Sequence, residues 1–177
     1  SDTAVFSGRS VISAGNYDVY WAKYDTAGNL LYLRSAGGTA SDYGYSVTVQ
    51  PGGDIHLTGG FGSTVIVGND TLFSAGMSDA FLIRCDPAGD PVTAIRFGGS
   101  GNDFGTDVAR TSATGVTVSG HFDGSFAAGN TVFPASFGSR DAFVAGFDFN
   151  CIKKWAVRAG GSGLDHAYSV AIDPSDA

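Results

Sequence analysis

Aspartate is the residue in this chain whose type and spacing could do chemistry. All 17 acidic residues are Asp, and none is Glu. Asp42, Asp103 and Asp165 recur at steps of 61 and 62 residues (103 − 42 and 165 − 103). Each lies in a glycine-rich segment: AGGTASDYG, FGGSGNDFG or AGGSGLDHA. Two chemistries would use such carboxylates. Calcium takes about six to eight oxygen ligands, and one calcium-binding pattern reads G-G-x-G-x-D-x-U-x. GGSGNDFGT (98–106) and GGSGLDHAY (160–168) meet its Gly and Asp positions. Gly105 and Ala167, however, stand where its large apolar residue belongs, and the tandem nine-residue repetition is missing. Glycosidases use paired carboxylates as acid and base, and repeated Asp residues could meet around a channel. Regular recurrence is also what a scaffold requires. The reading adopted here is structural: Asp42, Asp103 and Asp165 accept hydrogen bonds from backbone N–H groups at corners, with no metal, no cofactor and no catalytic residue.

The other reactive side chains give less. His56, His121 and His166 occupy different repeat positions, and no G-x-S-x-G nucleophile elbow is present. Each His is expected on a strand or at the surface. Cys85 and Cys151 are expected as two free thiols, since neither their positions nor those of the His residues have metal-ligand spacing. Trp21 and Trp155 read as packing residues; stacking on a sugar would require one of them to be exposed. Asn69-Asp70-Thr71 matches a glycosylation sequon but falls where a hairpin turn, with Asn69-Asp70 at its tip, is expected anyway.

Composition sets the class of element that must position these residues. Gln and Met occur once each and Lys three times, so good helix formers are scarce, whereas 27 Gly and abundant Asp, Asn, Ser and Thr favour strands and turns. The net charge is −7 with no Lys/Arg cluster, which argues against nucleic acid or an anionic membrane as partner. No apolar run is long enough to span a bilayer, and no signal peptide or initiator Met opens the chain. We therefore expect a mature product, an excised domain or a fragment.

The recurrence extends well beyond Asp. YDVYWAKYDTAGN (17–29), SDAFLIRCDPAGD (78–90) and RDAFVAGFDFNCI (140–152) align, as do the segments that begin at residues 36, 97 and 159. Within one unit, DAFLIRCD, PVTAIRF, FGTDVART and VTVSGHF read as strands separated by DPAGD, GGSGND and the turn SATG (112–115). FAAGNTVF and VIVGNDTLF read as small hairpins. Four short strands at a period of about 61 residues fit a blade of a β-propeller. The fold class is all-β, with four-stranded antiparallel blades making an open or partial propeller.

The segments DAFVAGFD, DTAGNLLYL, GGSGNDFG, DYGYSVTV and IHLTGGF together resemble the bacterial SBBP (β-propeller) repeat family over nearly the whole chain. The resemblance implies a propeller scaffold and a secreted, periplasmic or cell-surface address, and it carries no catalytic residue with it. It also implies a strand order: the runs from Tyr43, Phe104 and His166 innermost, IHLTGGF and VTVSGHF second, DAFLIRCD third and PVTAIRF outermost. Residues 1–41 would then hold the third and outermost strands of an incomplete blade, 42–102 and 103–164 two complete blades, and 165–177 the inner strand of another. The glycine-aspartate corners and the long segments 62–78 and 123–140 would share one end, where loops on a rigid scaffold usually bind. The candidate ligand-binding residues are Asp42, Tyr43, Asp103, Phe104, Asp165 and His166. The expected function is a non-catalytic scaffold or binding module for protein or carbohydrate, with adjacent blades from a longer chain or another copy as further partners. The alternatives are a polysaccharide-cleaving propeller enzyme and a purely structural adhesin spacer.

Overall fold

The computed structural model describes residues 3–111, 115–173 and 175, and among these the chain is all-β. Its strands are β1 (Thr3–Phe6), β2 (Arg9–Ile12), β3 (Val19–Tyr24), β4 (Leu30–Ala36), β5 (Asp42–Val49), β6 (Ile55–Phe61), β7 (Thr64–Val67) and β8 (Asp70–Phe73). They continue with β9 (Asp79–Cys85), β10 (Pro91–Phe97), β11 (Asp103–Arg110), β12 (Gly115–Phe122), β13 (Phe126–Ala128), β14 (Thr131–Phe133), β15 (Asp141–Asp148) and β16 (Lys153–Ala159). Two sheets have four strands, ordered β5–β6–β9–β10 and β11–β12–β15–β16. The pairs β1–β2, β3–β4, β7–β8 and β13–β14 stand apart as two-stranded sheets. Every ladder is antiparallel. No helix is long and apolar enough to cross a membrane among the described residues.

The turn that joins the third and fourth strands of each unit shows how the repeat encodes its geometry. Asp25 Oδ1 accepts from the N–H groups of Ala27 and Asn29, Asp86 Oδ1 from Ala88 and Asp90, and Asp148 Oδ1 from Asn150 and Ile152. One carboxylate thus closes each turn by satisfying two donors. The fourth turn residue is left-handed in all three copies: Gly28 and Gly89 at φ 82°, and Cys151 at φ 63°. Only the third copy places a side chain there, and burial of the Cys151 thiol accompanies it. Both thiols are free, as the sequence indicated.

Side-chain alternation along β9 builds two cores. Phe81, Ile83 and Cys85 join Val19, Trp21, Ile55, Leu57 and Phe61 on one face. Ala80 and Leu82 join Phe97, Val108, Val118, Phe122 and Phe143 on the other. The β5–β6–β9–β10 sheet is therefore covered on both faces, which is why β6 reads as a fully buried strand in place of an alternating one. Small residues let the layers approach: a Cβ on Gly59 would lie 1.8 Å from the Tyr43 carbonyl oxygen and 2.8 Å from the Phe81 ring.

Two expectations need correction. The β7–β8 hairpin turns at Gly68-Asn69, because Val67 pairs with Asp70, so Asn69-Asp70 is not its tip. Gly68, at the first central position, supplies the positive φ (59°) that Asn69 would otherwise have had to adopt. The run 166–172, expected as a strand, belongs to no ladder among the described residues. Its contacts to β11 run through side chains: Thr106 Oγ1 donates to the Ala167 carbonyl at 2.5 Å, and Ser169 Oγ and Val170 N–H donate to Asp107 Oδ2 at 2.7 and 2.9 Å. Strand pairing needs backbone groups on a facing edge, and among the described residues no second strand faces this run as β6 faces β5. The turn expected over 112–115 lies, up to residue 114, outside the described residues.

Candidate functional site

The two residue types that begin β5 and β11 part company. Successive strand residues point to opposite faces, so Asp42 and Asp103 turn inward while Tyr43 and Phe104 turn outward. Asp42 Oδ2 accepts from Gly38 N–H at 2.8 Å and Oδ1 from Gly62 N–H at 3.3 Å. Asp103 Oδ2 accepts from Gly99 N–H at 2.6 Å and Oδ1 from Asp123 N–H at 3.2 Å. Asp165 Oδ2 accepts from Gly161 N–H at 2.7 Å and is half-buried. The carboxylates hold the corners through backbone N–H groups, as read from the sequence. Burial pushes Asp42 up to about 6, with Asp18 nearby adding to the shift, and Asp103 up to about 8, with Asp79 beside it.

The corners and the hairpins meet at one end of the sheets. Gly37 bridges to Ile66 of β7 and Gly98 to Ala127 of β13. Asp103 N–H donates to the Ser78 carbonyl, and Asp165 N–H to that of Arg140. Arg140 forms a two-point ion pair with Asp123, Nε to Oδ1 at 2.6 Å and Nη2 to Oδ2 at 3.0 Å.

At this end the outward residues form a continuous track of rings. Tyr17 lies 5.8 Å from Tyr43, Tyr43 6.2 Å from Tyr45, Tyr45 6.1 Å from Phe104 and Phe104 5.4 Å from His121. His121 lies 4.6 Å from His166, which stacks on Tyr168 at 5.4 Å with 5° between the planes. These separations are those of contacting aromatic pairs. Tyr17, Tyr45 and Tyr168 are exposed; Tyr43, Phe104 and His166 are half-buried; His121 is buried. Burial, with Arg140 and His166 nearby, lowers His121 to about 4, so this ring is neutral at pH 7. The Nδ1 atoms of His121 and His166 have no protein partner.

Three of the six candidates, Tyr43, Phe104 and His166, are thus brought together, and the three Asp candidates are not on the track. The sequence reading missed Tyr17, Tyr45, His121 and Tyr168. The period-2 steps Tyr43 to Tyr45 and His166 to Tyr168 were the available signal. They were harder to use because β5 and β11 each carry a bulge after Gly44 and Gly105. A bulge re-aims the residue it displaces, here Tyr45 and Thr106.

His56 and Trp21 are structural, whereas Trp155, expected as a packing residue, is not buried. His56 is fully buried, with Nε2 against the Phe149 carbonyl at 3.1 Å, and burial lowers its pKa. Trp21 is buried and its indole N–H donates to the Gly89 carbonyl at 2.9 Å, tying β3 to the neighbouring sheet. Trp155 is 46% exposed on β16. A cavity of about 550 Å3 opens between β3 and β5, lined by Trp21, Tyr45, Val47, Val49, Ile55 and Leu57 among others.

No family model matches the chain. The chain is similar to Regulatory protein FlaEY of Caulobacter vibrioides, 31% identical over 137 residues. The match covers 75% of this chain and 14% of that protein, so the chain spans a small part of its relative's length.

Proposed function

We propose that the chain is a non-catalytic β-propeller module that binds carbohydrate along its aromatic track, within a larger exported or surface protein of a bacterium. The track carries this reading. It offers stacked and edge-on rings whose faces suit the apolar faces of sugar rings, with the hydroxyls of the exposed Tyr17, Tyr45 and Tyr168 to order polar groups. The propeller is supported by the identical order of the two four-stranded sheets, their shared core and the antiparallel third-and-fourth-strand pair β3–β4 that precedes them. A scaffold role for the corners suits their carboxylates, which are spent on backbone N–H groups in place of an exposed acid–base pair.

The test is affinity electrophoresis of the chain through gels holding a panel of neutral polysaccharides. Retardation by at least one is expected, weakened about tenfold in a Tyr45→Ala/Tyr168→Ala double variant whose melting temperature is unchanged. Retardation that survives the double variant, or none across the panel, rejects carbohydrate binding at this track. A protein ligand on the same rings is the second reading, favoured by the relative's name as a regulatory protein.

A further inference from the structure

Each unit carries a second aspartate 24 residues before the corner aspartate: Asp18 before Asp42, Asp79 before Asp103 and Asp141 before Asp165. Their Oδ2 atoms accept from Ala14, Ala75 and Phe137 N–H. Their Oδ1 atoms are buried and accept from nothing in all three copies. An unpaired oxygen of this kind is costly.

The middle copy shows what it faces. Asp79 and Asp103 are both wholly buried. The site where a Cβ on Gly98 would sit lies 2.6 Å from Asp79 Oδ1 and 2.8 Å from Asp103 Oδ2, so the two oxygens converge on one glycine. The Asp79 carboxyl adds to burial in raising Asp103. Two bare acceptors cannot bond, and two carboxylates cannot both ionise so close together in a buried corner. We propose that one proton is held between Asp79 Oδ1 and Asp103 Oδ2, locking the corner that joins β10 to β11.

The surroundings favour a proton over a cation. Asp103 receives two backbone N–H donors, and Asp79 receives one together with the Arg96 guanidinium, Nη1 to Oδ2 at 2.7 Å. Donors and a fixed positive charge repel a metal ion, and calcium would need several further oxygens. The other charges packed around the pair are Asp123, neutralised by Arg140, with His121 beyond them. The glycine is required by the same geometry, since a side chain at position 98 would displace the proton-bearing oxygens.

The corner is therefore sensitive to alkali. A proton kept in the folded state and lost in the unfolded state gives stability that falls as pH rises from about 4 towards the folded pKa near 8. His56 and His121, lowered by burial, act in the opposite sense and finish near the ordinary His value of about 6.5. Asp42, raised to about 6, also finishes below pH 7. The buried thiols, pushed up to about 12, take effect only above the ordinary thiol value of about 8.5. The interval from pH 7 to 8 is left to the Asp79–Asp103 pair.

Denaturant unfolding between pH 7 and 8 tests this, with infrared detection of a protonated carboxylic acid at pH 7. In the unaltered chain the unfolding constant should rise about fivefold across that unit, and the acid band should be present. Asp79→Asn places an amide N–H on the orphan oxygen's position, aimed at Asp103, and should flatten the slope and remove the band. Asp103→Asn sets its amide against the Gly99 N–H or the Asp123 N–H and should be the less stable of the two. An absent acid band in the unaltered chain overturns the proposal, whether or not either variant folds. Calcium that raises its melting temperature in place of the band would assign the corner to a cation.

Discussion

Val47 and Val108 hold the same place in β5 and β11, the edge strands that open the two four-stranded sheets, yet Val47 is 55% exposed and Val108 only 4%. The strands match in sequence, DYGYSVTV against DFGTDVAR, and each carries its bulge after the same glycine. The difference lies in what precedes them. β11 packs against β5, β6 and β9 of the sheet before it, and Val108 enters the core that β9 and β10 share with β12 and β15. Among the described residues the strands before β5 are the two-stranded pairs β1–β2 and β3–β4, and a cavity lined by β3, β5 and β6 lies beside Val47 and Val49. Burial of an opening strand is thus a property of the preceding unit, which is the nearest-neighbour behaviour of repeat architectures.

The strongest test of this comparison uses the turn glycines. Gly28 and Gly89 share φ 82°, but a Cβ on Gly28 meets nothing within 4 Å while one on Gly89 would lie 2.6 Å from the Tyr32 ring. Gly89 also offers the carbonyl that Trp21 bonds. Gly89→Ala should cost about 3 kcal/mol, from left-handed strain and from overpacking against Tyr32. Gly28→Ala should cost about 1 kcal/mol, from strain alone. Equal losses in denaturant titrations would mean that the first unit does not lean on the second as the packing indicates.

Much of this was legible because the repeat writes each constraint three times. The corner aspartates follow from the fixed long spacing and the strands from their alternation, and the strand order came with the resemblance. The split between inward Asp and outward aromatic was not read, since all six residues were taken as one surface. What else escaped depends on neighbours and not on a residue's own unit. Position 47 has the same sequence signature as position 108, and nothing local says that one is open. The aromatic track joins Tyr17 to Tyr168 across three units and two bulges, so no single window contains it. The hairpin at Gly68-Asn69 was misplaced by one residue because Asn-Asp and Gly-Asn are both good turn pairs, and only the register between Val67 and Asp70 decides.

A direct probe of the two valines follows. Val108→Ala removes two buried methyl groups and leaves a cavity between the sheets, a loss of about 2 kcal/mol. Val47→Ala trims an exposed side chain and should fall within about 0.5 kcal/mol of the unaltered chain. A large loss at Val47 would show that its face is covered in solution, by a second copy or by another segment, and size-exclusion chromatography at two concentrations would separate those cases.

The smallest effect expected is at the far side of β11, where Asp107 joins three units. Its Oδ1 accepts from Ser46 Oγ at 2.6 Å, and its Oδ2 from Ser169 Oγ and Val170 N–H. Burial works to raise its pKa, but the bonds from Ser46, Val170 and Ser169 outweigh it and hold the carboxyl below the usual range. A lowered folded pKa gives stability that is present above about 4 and lost as pH falls through the folded value. Residues 166–172 have no ladder of their own, so they depend on this anchor more than the strands do. Amide exchange at Val170 should therefore accelerate below pH 4, after correction for intrinsic rates, while Val108 N–H, which also bonds Asp107 Oδ1 but lies in a β11 core position, stays protected. Asp107→Asn should bring the same acceleration at pH 7, because an amide accepts through only one of its two positions. Equal protection at Val170 in the unaltered chain and the variant would mean that the run is held by contacts other than Asp107, and that the tie between β11 and the run is made by the Thr106 hydroxyl alone.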